Sequence, residues 1–115
     1  MSTDKILSSV ADEPPFITPE GARRRVLSYG GGMMAVQFEF DAGVAAPIHS
    51  HPHEQIGYVV SGEIDLIMEG RETARLGAGC TYYVPPSVRH GIVTHTPAVL
   101  LDCFTPIRED FLEHR

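Results

Sequence analysis

The sequence predicts an all-β, single-domain fold, a double-sheet jelly roll closed into a small barrel, with one short helix near the C-terminal end. Three observations predict it. Eleven Gly and nine Pro with no Trp punctuate the 115 residues, which suits short strands joined by turns better than long helices. Several segments alternate apolar and polar residues at period two. Turn signals recur about every 8 to 12 residues, the spacing of antiparallel sandwiches and barrels. The length is one domain's worth, and 43% hydrophobic against 21% charged residues is apolar enough to offset the entropy of ordering the chain. An immunoglobulin-like sandwich is disfavoured, because the Cys and Trp that mark it are missing.

Each element follows from local chemistry. Residues 1–20 are polar and interrupted by Pro14, Pro15 and Pro19, so they are expected to form an arm with little independent structure, ahead of a barrel over 21–115. Arg25 to Tyr29 is a short strand that stops at the Gly30-Gly31-Gly32 turn. Met34, Val36, Phe38 and Phe40 alternate with Ala35, Gln37 and Glu39, a half-buried strand. Asp41-Ala42-Gly43 turns the chain, and Pro47 to His51 is short and extended. Ile56 to Ser61 is an apolar run closed by Gly62. Ile64, Leu66 and Met68 alternate with Asp65 and Ile67, and Gly70 makes a hairpin to Glu72–Leu76. Tyr82–Val84, His90–Thr94 and Ala98–Phe104 complete the strands. Only the tail from Arg108 to His114 has helical composition, with Pro106 tolerable just ahead of a helix start.

Composition excludes several functions. A formal charge of -6 has the wrong sign for attracting phosphate backbones, so nucleic acid is not an expected partner. The run Arg23-Arg24-Arg25 reads as strand charges alternating between solvent and rim. No segment approaches the roughly 18 apolar residues of a membrane span, and the first ten residues lack the basic-then-apolar order of a signal peptide, so the expected location is the cytoplasm. Cys80 and Cys103 are too few for a disulfide framework and are expected to be small buried apolar residues.

Six His against a single Lys is the oddity of the composition, and its core is His49-Ser50-His51-Pro52-His53-Glu54-Gln55. On a strand, residues two apart share a face, so His49 and His51 present two imidazoles at the separation that one metal requires. Two unpartnered rings side by side in an apolar barrel would otherwise be costly to bury. Gln55 follows a Pro-broken step, and its side-chain oxygen suits a hard or borderline divalent ion. His90 opens a strand whose inward face would be His90, Ile92 and Thr94, making it the fourth candidate. His53 and His95 are expected behind the site or at the surface, and His114 lies in the tail.

The spacings Gly43-x5-His49-x-His51-x3-Gln55-x6-Gly62 and Gly79-x5-Pro85-x-Ser87-x2-His90 resemble the two motifs of the cupin superfamily, which are the metal-binding segments of a small β-barrel. The sequence departs from them where Gln55 replaces the usual Glu, Ser87 a Gly, and Thr94 a common Asn. A Gln ligand brings no charge, so three His and one Gln would leave the full 2+ of the ion facing substrate. That favours Lewis-acid or anion-binding chemistry.

In Ala98–Phe104, Leu100, Asp102 and Phe104 share one face and Val99, Leu101 and Cys103 the other. Both faces are expected to be buried. Asp102 then needs a partner (Arg, metal or substrate), and such an environment makes a candidate general acid or base. A structural salt bridge to Arg108 is the alternative. Arg108 follows by a short turn and is placed to close over the barrel mouth, where guanidinium clamps a carboxylate bidentately.

From about Phe16 to Leu112 the sequence is similar to the pectin-degradation cupins. Three segments carry the likeness: His49 to Gln55, Val84-Pro85-Pro86-Ser87-Val88-Arg89-His90-Gly91, and Leu101-Asp102-Cys103-Phe104-Thr105-Pro106-Ile107-Arg108 through Leu112. The resemblance implies conversion of cyclic 4,5-unsaturated uronates from pectin or alginate to linear keto forms. It implies one divalent ion (Zn, Ni, Mn or Fe) on His49, His51, His90 and Gln55, with Asp102, Phe104 and Arg108 as active-site residues. The expected partner is a small anionic sugar acid, and a homodimer is the expected assembly because pairing covers exposed strand edges. A non-catalytic sugar- or metabolite-binding cupin and a metal-dependent oxygenase are the alternative functions.

Overall fold

The alternating segments fold as ten strands and one short helix within residues 4–113, which the computed structural model describes. In chain order these are β1 (Phe16–Ile17), β2 (Arg23–Tyr29), β3 (Met34–Phe40), β4 (Ala45–His49), β5 (Glu54–Ser61), β6 (Ile64–Met68), β7 (Ala74–Leu76), β8 (Thr81–Val84), β9 (His90–Thr94), β10 (Ala98–Thr105) and α1 (Glu109–Glu113). A six-stranded sheet in the order β1-β2-β3-β10-β5-β8 faces a four-stranded sheet in the order β4-β9-β6-β7. Neighbours in both sheets run antiparallel, for example Asp102 opposite Val36 on one side and Gly57 on the other.

The core lies between the sheets. Val59, Ile64, Val84 and Leu100 are fully enclosed there, packed with Phe40, Leu66 and Ile92. Each such side chain contributes roughly 1.5–3 kcal/mol by leaving water. A second cluster of Val26, Met34, Val36 and Phe104 is capped by Phe111 of α1. Gly62 closes β5 in the left-handed region, at φ +84°, where a Cβ would overlap the Pro97 carbonyl oxygen. Among the described residues, Ser87 alone adopts a positive φ (65°) without being glycine. It occupies the position where the resemblance expects Gly.

Three expectations need correction. The outer face of β10 is half-buried, not buried: Val99, Leu101 and Cys103 sit on the outward side of the six-stranded sheet, beside exposed Ile56, Tyr58 and Val60 of β5. Cys103, on that face, and Cys80, just ahead of β8 and against the core, are half-buried free thiols. His51 does not share a strand with His49, because β4 ends at His49 and the chain has left the sheet by Ser50.

The segment ahead of β2 lies along the sheet. Lys5 bridges to Tyr29, Val10–Asp12 makes one 3-10 turn capped by Ser9, and β1 pairs with β2. Thr18 joins the two by accepting from the Gly21 and Ala22 backbone amides. The arginine run does alternate: Arg23 and Arg25 meet Glu39, while Arg24 turns the other way over the rings of Phe16 and Phe111. His114 lies outside the described residues.

Candidate active site

Three histidines converge at one end of the sandwich. His49 closes β4 and His90 opens β9, directly opposite each other in register, with ring centroids 4.5 Å apart. His51 reaches the same point from the β4–β5 connection, 4.9 Å from the His90 ring. One ring nitrogen from each lies within 4.8 Å of the others.

Each imidazole is held by the backbone two residues away. Nδ1 of His49 meets the Pro47 carbonyl at 2.8 Å, Nδ1 of His90 the Val88 carbonyl at 2.9 Å, and Nδ1 of His51 the His53 carbonyl at 3.0 Å. A carbonyl only accepts, so Nδ1 carries the proton and Nε2 keeps its lone pair in all three. This is the outer-shell arrangement that fixes the tautomer of metal-ligating histidine. Burial, with Arg108 nearby, pulls the His51 pKa down to about 4, and burial lowers that of His90. Both stay neutral near pH 7.

Gln55, second residue of β5, points inward and is buried. Its Oε1 stands 3.1 Å from Nε2 of His51. Both atoms are acceptors, and an acceptor facing an acceptor is relieved by a cation between them. The other end of the amide bonds Asp102 and Tyr82. The donor set therefore fits a borderline divalent ion.

Asp102 is 2% exposed, at the middle of β10. Burial raises its pKa to about 6, against the hydrogen bonds from Tyr82 and Gln55 that favour its charged form. Tyr82 Oη donates to its Oδ1 at 2.6 Å. The phenol is itself pushed well above its usual range by burial and by the Asp102 charge, so it remains a donor.

The expected alternative, an Asp102–Arg108 salt bridge, is absent. Arg108 gives its fork to Asp110, Nε to Oδ1 at 3.1 Å and Nη2 to Oδ2 at 2.9 Å. That carboxylate is only two residues away at the start of α1, so the local pair forms before any reach across the barrel. The guanidinium lies 5.2 Å from the Phe104 centroid and 4.0 Å from that of Phe111.

His49, Gln55, His90, Asp102, Phe104 and Arg108 all line one cavity of about 270 Å³ between the sheets, and the Phe104 ring stands edge-on to His51 at 5.7 Å. All seven residues singled out in the sequence thus come together. His53 sits behind His51, with Nε2 3.2 Å from the Ile107 carbonyl. His95 is exposed and pairs with Asp65 at 2.8 Å. Sequence reading missed Tyr82, Asp110 and Phe111. Tyr82 had a signal in its inward alternation with Val84, and Gly57 had one as a lone glycine inside an apolar strand, which marks close approach of other groups.

A two-sheet barrel with histidines converging between its leaves defines the class: residues 36–104 match the model of the cupin domain, and the chain belongs to the cupin family. Within it, the chain is similar to the pectin degradation protein KdgF of Dickeya dadantii, 33% identical over 106 residues that make up 90% of this chain and 96% of that protein. Among solved structures it is similar to KdgF from Halomonas sp., at 31% identity and a TM-score of 0.83 over 93% of this chain and 99% of that one. It is also similar to an RmlC-like cupin from Shewanella frigidimarina, at 36% identity and a TM-score of 0.89 over 96% and 99% of the two chains.

Proposed function

We propose that the chain isomerises cyclic 4,5-unsaturated uronate monosaccharides, derived from pectin or alginate, to their linear keto forms, with one divalent ion on His49, His51, Gln55 and His90. The observation that carries the reading is Asp102: a buried carboxyl with pKa near 6, on the wall of the cavity that His49 and His90 line. Likeness to KdgF over nearly the whole chain supports the substrate class. So does size, since about 270 Å³ lies just under the range of drug-sized ligand pockets, roughly 300–1,000 Å³, and suits nothing larger than a monosaccharide.

In the reaction the anomeric hydroxyl loses its proton, the bond from C1 to the ring oxygen breaks, C4 gains a proton and C5 becomes a ketone. Nothing is consumed and the charge is unchanged. A bound ion supplies Lewis-acid polarisation of substrate oxygens. Asp102, poised between its two protonation states near neutral pH, delivers the proton to C4 as general acid. Arg108, with Nε and Nη2 held by Asp110, turns its Nη1 to the sugar carboxylate, and Phe104 gives the ring a flat apolar surface.

Unsaturated galacturonate and the corresponding alginate-derived uronate lose their conjugated ultraviolet absorbance on ketonisation. The metal-loaded protein should accelerate that loss, a chelator should abolish it, and added metal should restore it. Asp102→Asn should be inactive with metal content unchanged. Wild-type turnover by Asp102→Asn would sink the acid role. Saturable binding with no absorbance change would make the site a sugar-acid receptor, and turnover that requires oxygen would make it an oxygenase.

A further inference from the structure

Asp102 is held from a direction that the cavity does not explain. Across the six-stranded sheet, Tyr82 of β8, Gly57 of β5 and Asp102 of β10 form one row in register. Adjacent strands are about 4.7–4.9 Å apart, so the outer two backbones of this row are separated by roughly 9–10 Å. Side chains on one face meet over that distance only if the middle position is empty. Gly57 empties it. A Cβ built there would overlap Cζ and the hydroxyl oxygen of Tyr82 and Oδ1 of Asp102. Glycine inside a strand weakens it, and the next inward position of β5, Val59, is fully buried. The gap costs packing and is filled by one hydrogen bond.

We infer that Tyr82 is a positioning residue, whose hydroxyl fixes the Asp102 carboxyl at the cavity wall through the opening left by Gly57. Tyr82 forms no part of that wall, so its route to the reaction runs through Asp102. Its contact of 2.6 Å has the length of a charge-assisted O–H···O⁻ bond. The χ2 torsion of an aspartate is broad, and a carboxyl in an apolar pocket has little else to orient it. The Tyr82 hydroxyl and the Gln55 amide fix that torsion. The inference rests on the role proposed for Asp102.

The test is Tyr82→Phe, which keeps the ring and removes only the hydroxyl. In the metal-loaded protein, kcat should fall roughly tenfold to a hundredfold, the scale of a misplaced catalytic group, with KM within about twofold and metal per chain unchanged. Gly57→Ala should lower kcat at least as far, because its Cβ would displace the Tyr82 hydroxyl and press on Oδ1 of Asp102 as well. A role in packing alone predicts a lower melting temperature with kcat per folded chain intact, which would overturn the inference while leaving the ketonisation reading in place. If the wild-type protein ketonises none of the uronates, the reading itself fails and the positioning role falls with it.

Discussion

Gln55 serves two neighbours with the two ends of one amide. Its oxygen faces His51, and its nitrogen is hydrogen-bonded towards Asp102 and Tyr82. The sequence alone shows that glutamine adds no charge to the ligand set. Only the structure shows that a glutamate would also remove a donor and set two carboxyls side by side, where both cannot ionise cheaply. Gln55→Glu should therefore keep its metal, since carboxylate is a good ligand, yet lose about tenfold or more in kcat. Metal analysis beside the ultraviolet assay checks both halves, and a fully active Gln55→Glu would show that the amide donor is dispensable. The histidines and Gln55 were legible because their offsets in the chain are themselves the signal. Tyr82 was not, because its partner lies two strands and twenty residues away and no local pattern records such a meeting.

At the scale of elements, period-two alternation made β3, β6 and β10 readable, since one face of each meets the core. It was silent on β1, where two residues carry no period, and misleading at His51, which reaches the site from outside the strand. Helical composition located α1 without showing its use. Phe111, its buried residue, stands edge-on to Phe104 at 5.7 Å and carries the guanidinium groups of Arg24 and Arg108 on its ring. Phe111→Ala should cost about 3 kcal/mol of stability, as deletion of a buried aromatic does, measured by denaturant midpoint. Below the melting transition it should raise KM more than it lowers kcat, because Arg108 loses its stacking surface and stays chemically intact. An unchanged KM would separate α1 from substrate binding.

For the whole molecule, a net charge of -6 is compatible with the proposed anionic substrate because Arg108 lines the cavity and a divalent ion on the histidines would add to its charge, although α1 itself carries Glu109, Asp110 and Glu113. The two sheets also divide the labour. His49 and His90 belong to the four-stranded sheet, whereas Gln55, Asp102 and Phe104 belong to the six-stranded one. Their separation is set by the core between them. Ile64→Ala lies in that core away from the cavity wall and should cost roughly 2–5 kcal/mol. At temperatures where the variant is still folded, kcat should also drop several-fold with metal content intact. Stability loss with unaltered kcat would mean that the leaves hold their spacing without it. Because His49 and His90 stand on one leaf and the acid on the other, the size of sugar accepted is a property of the filling. A route to a bulkier substrate then runs through the volume of buried aliphatic side chains, with every polar residue of the site left as it is.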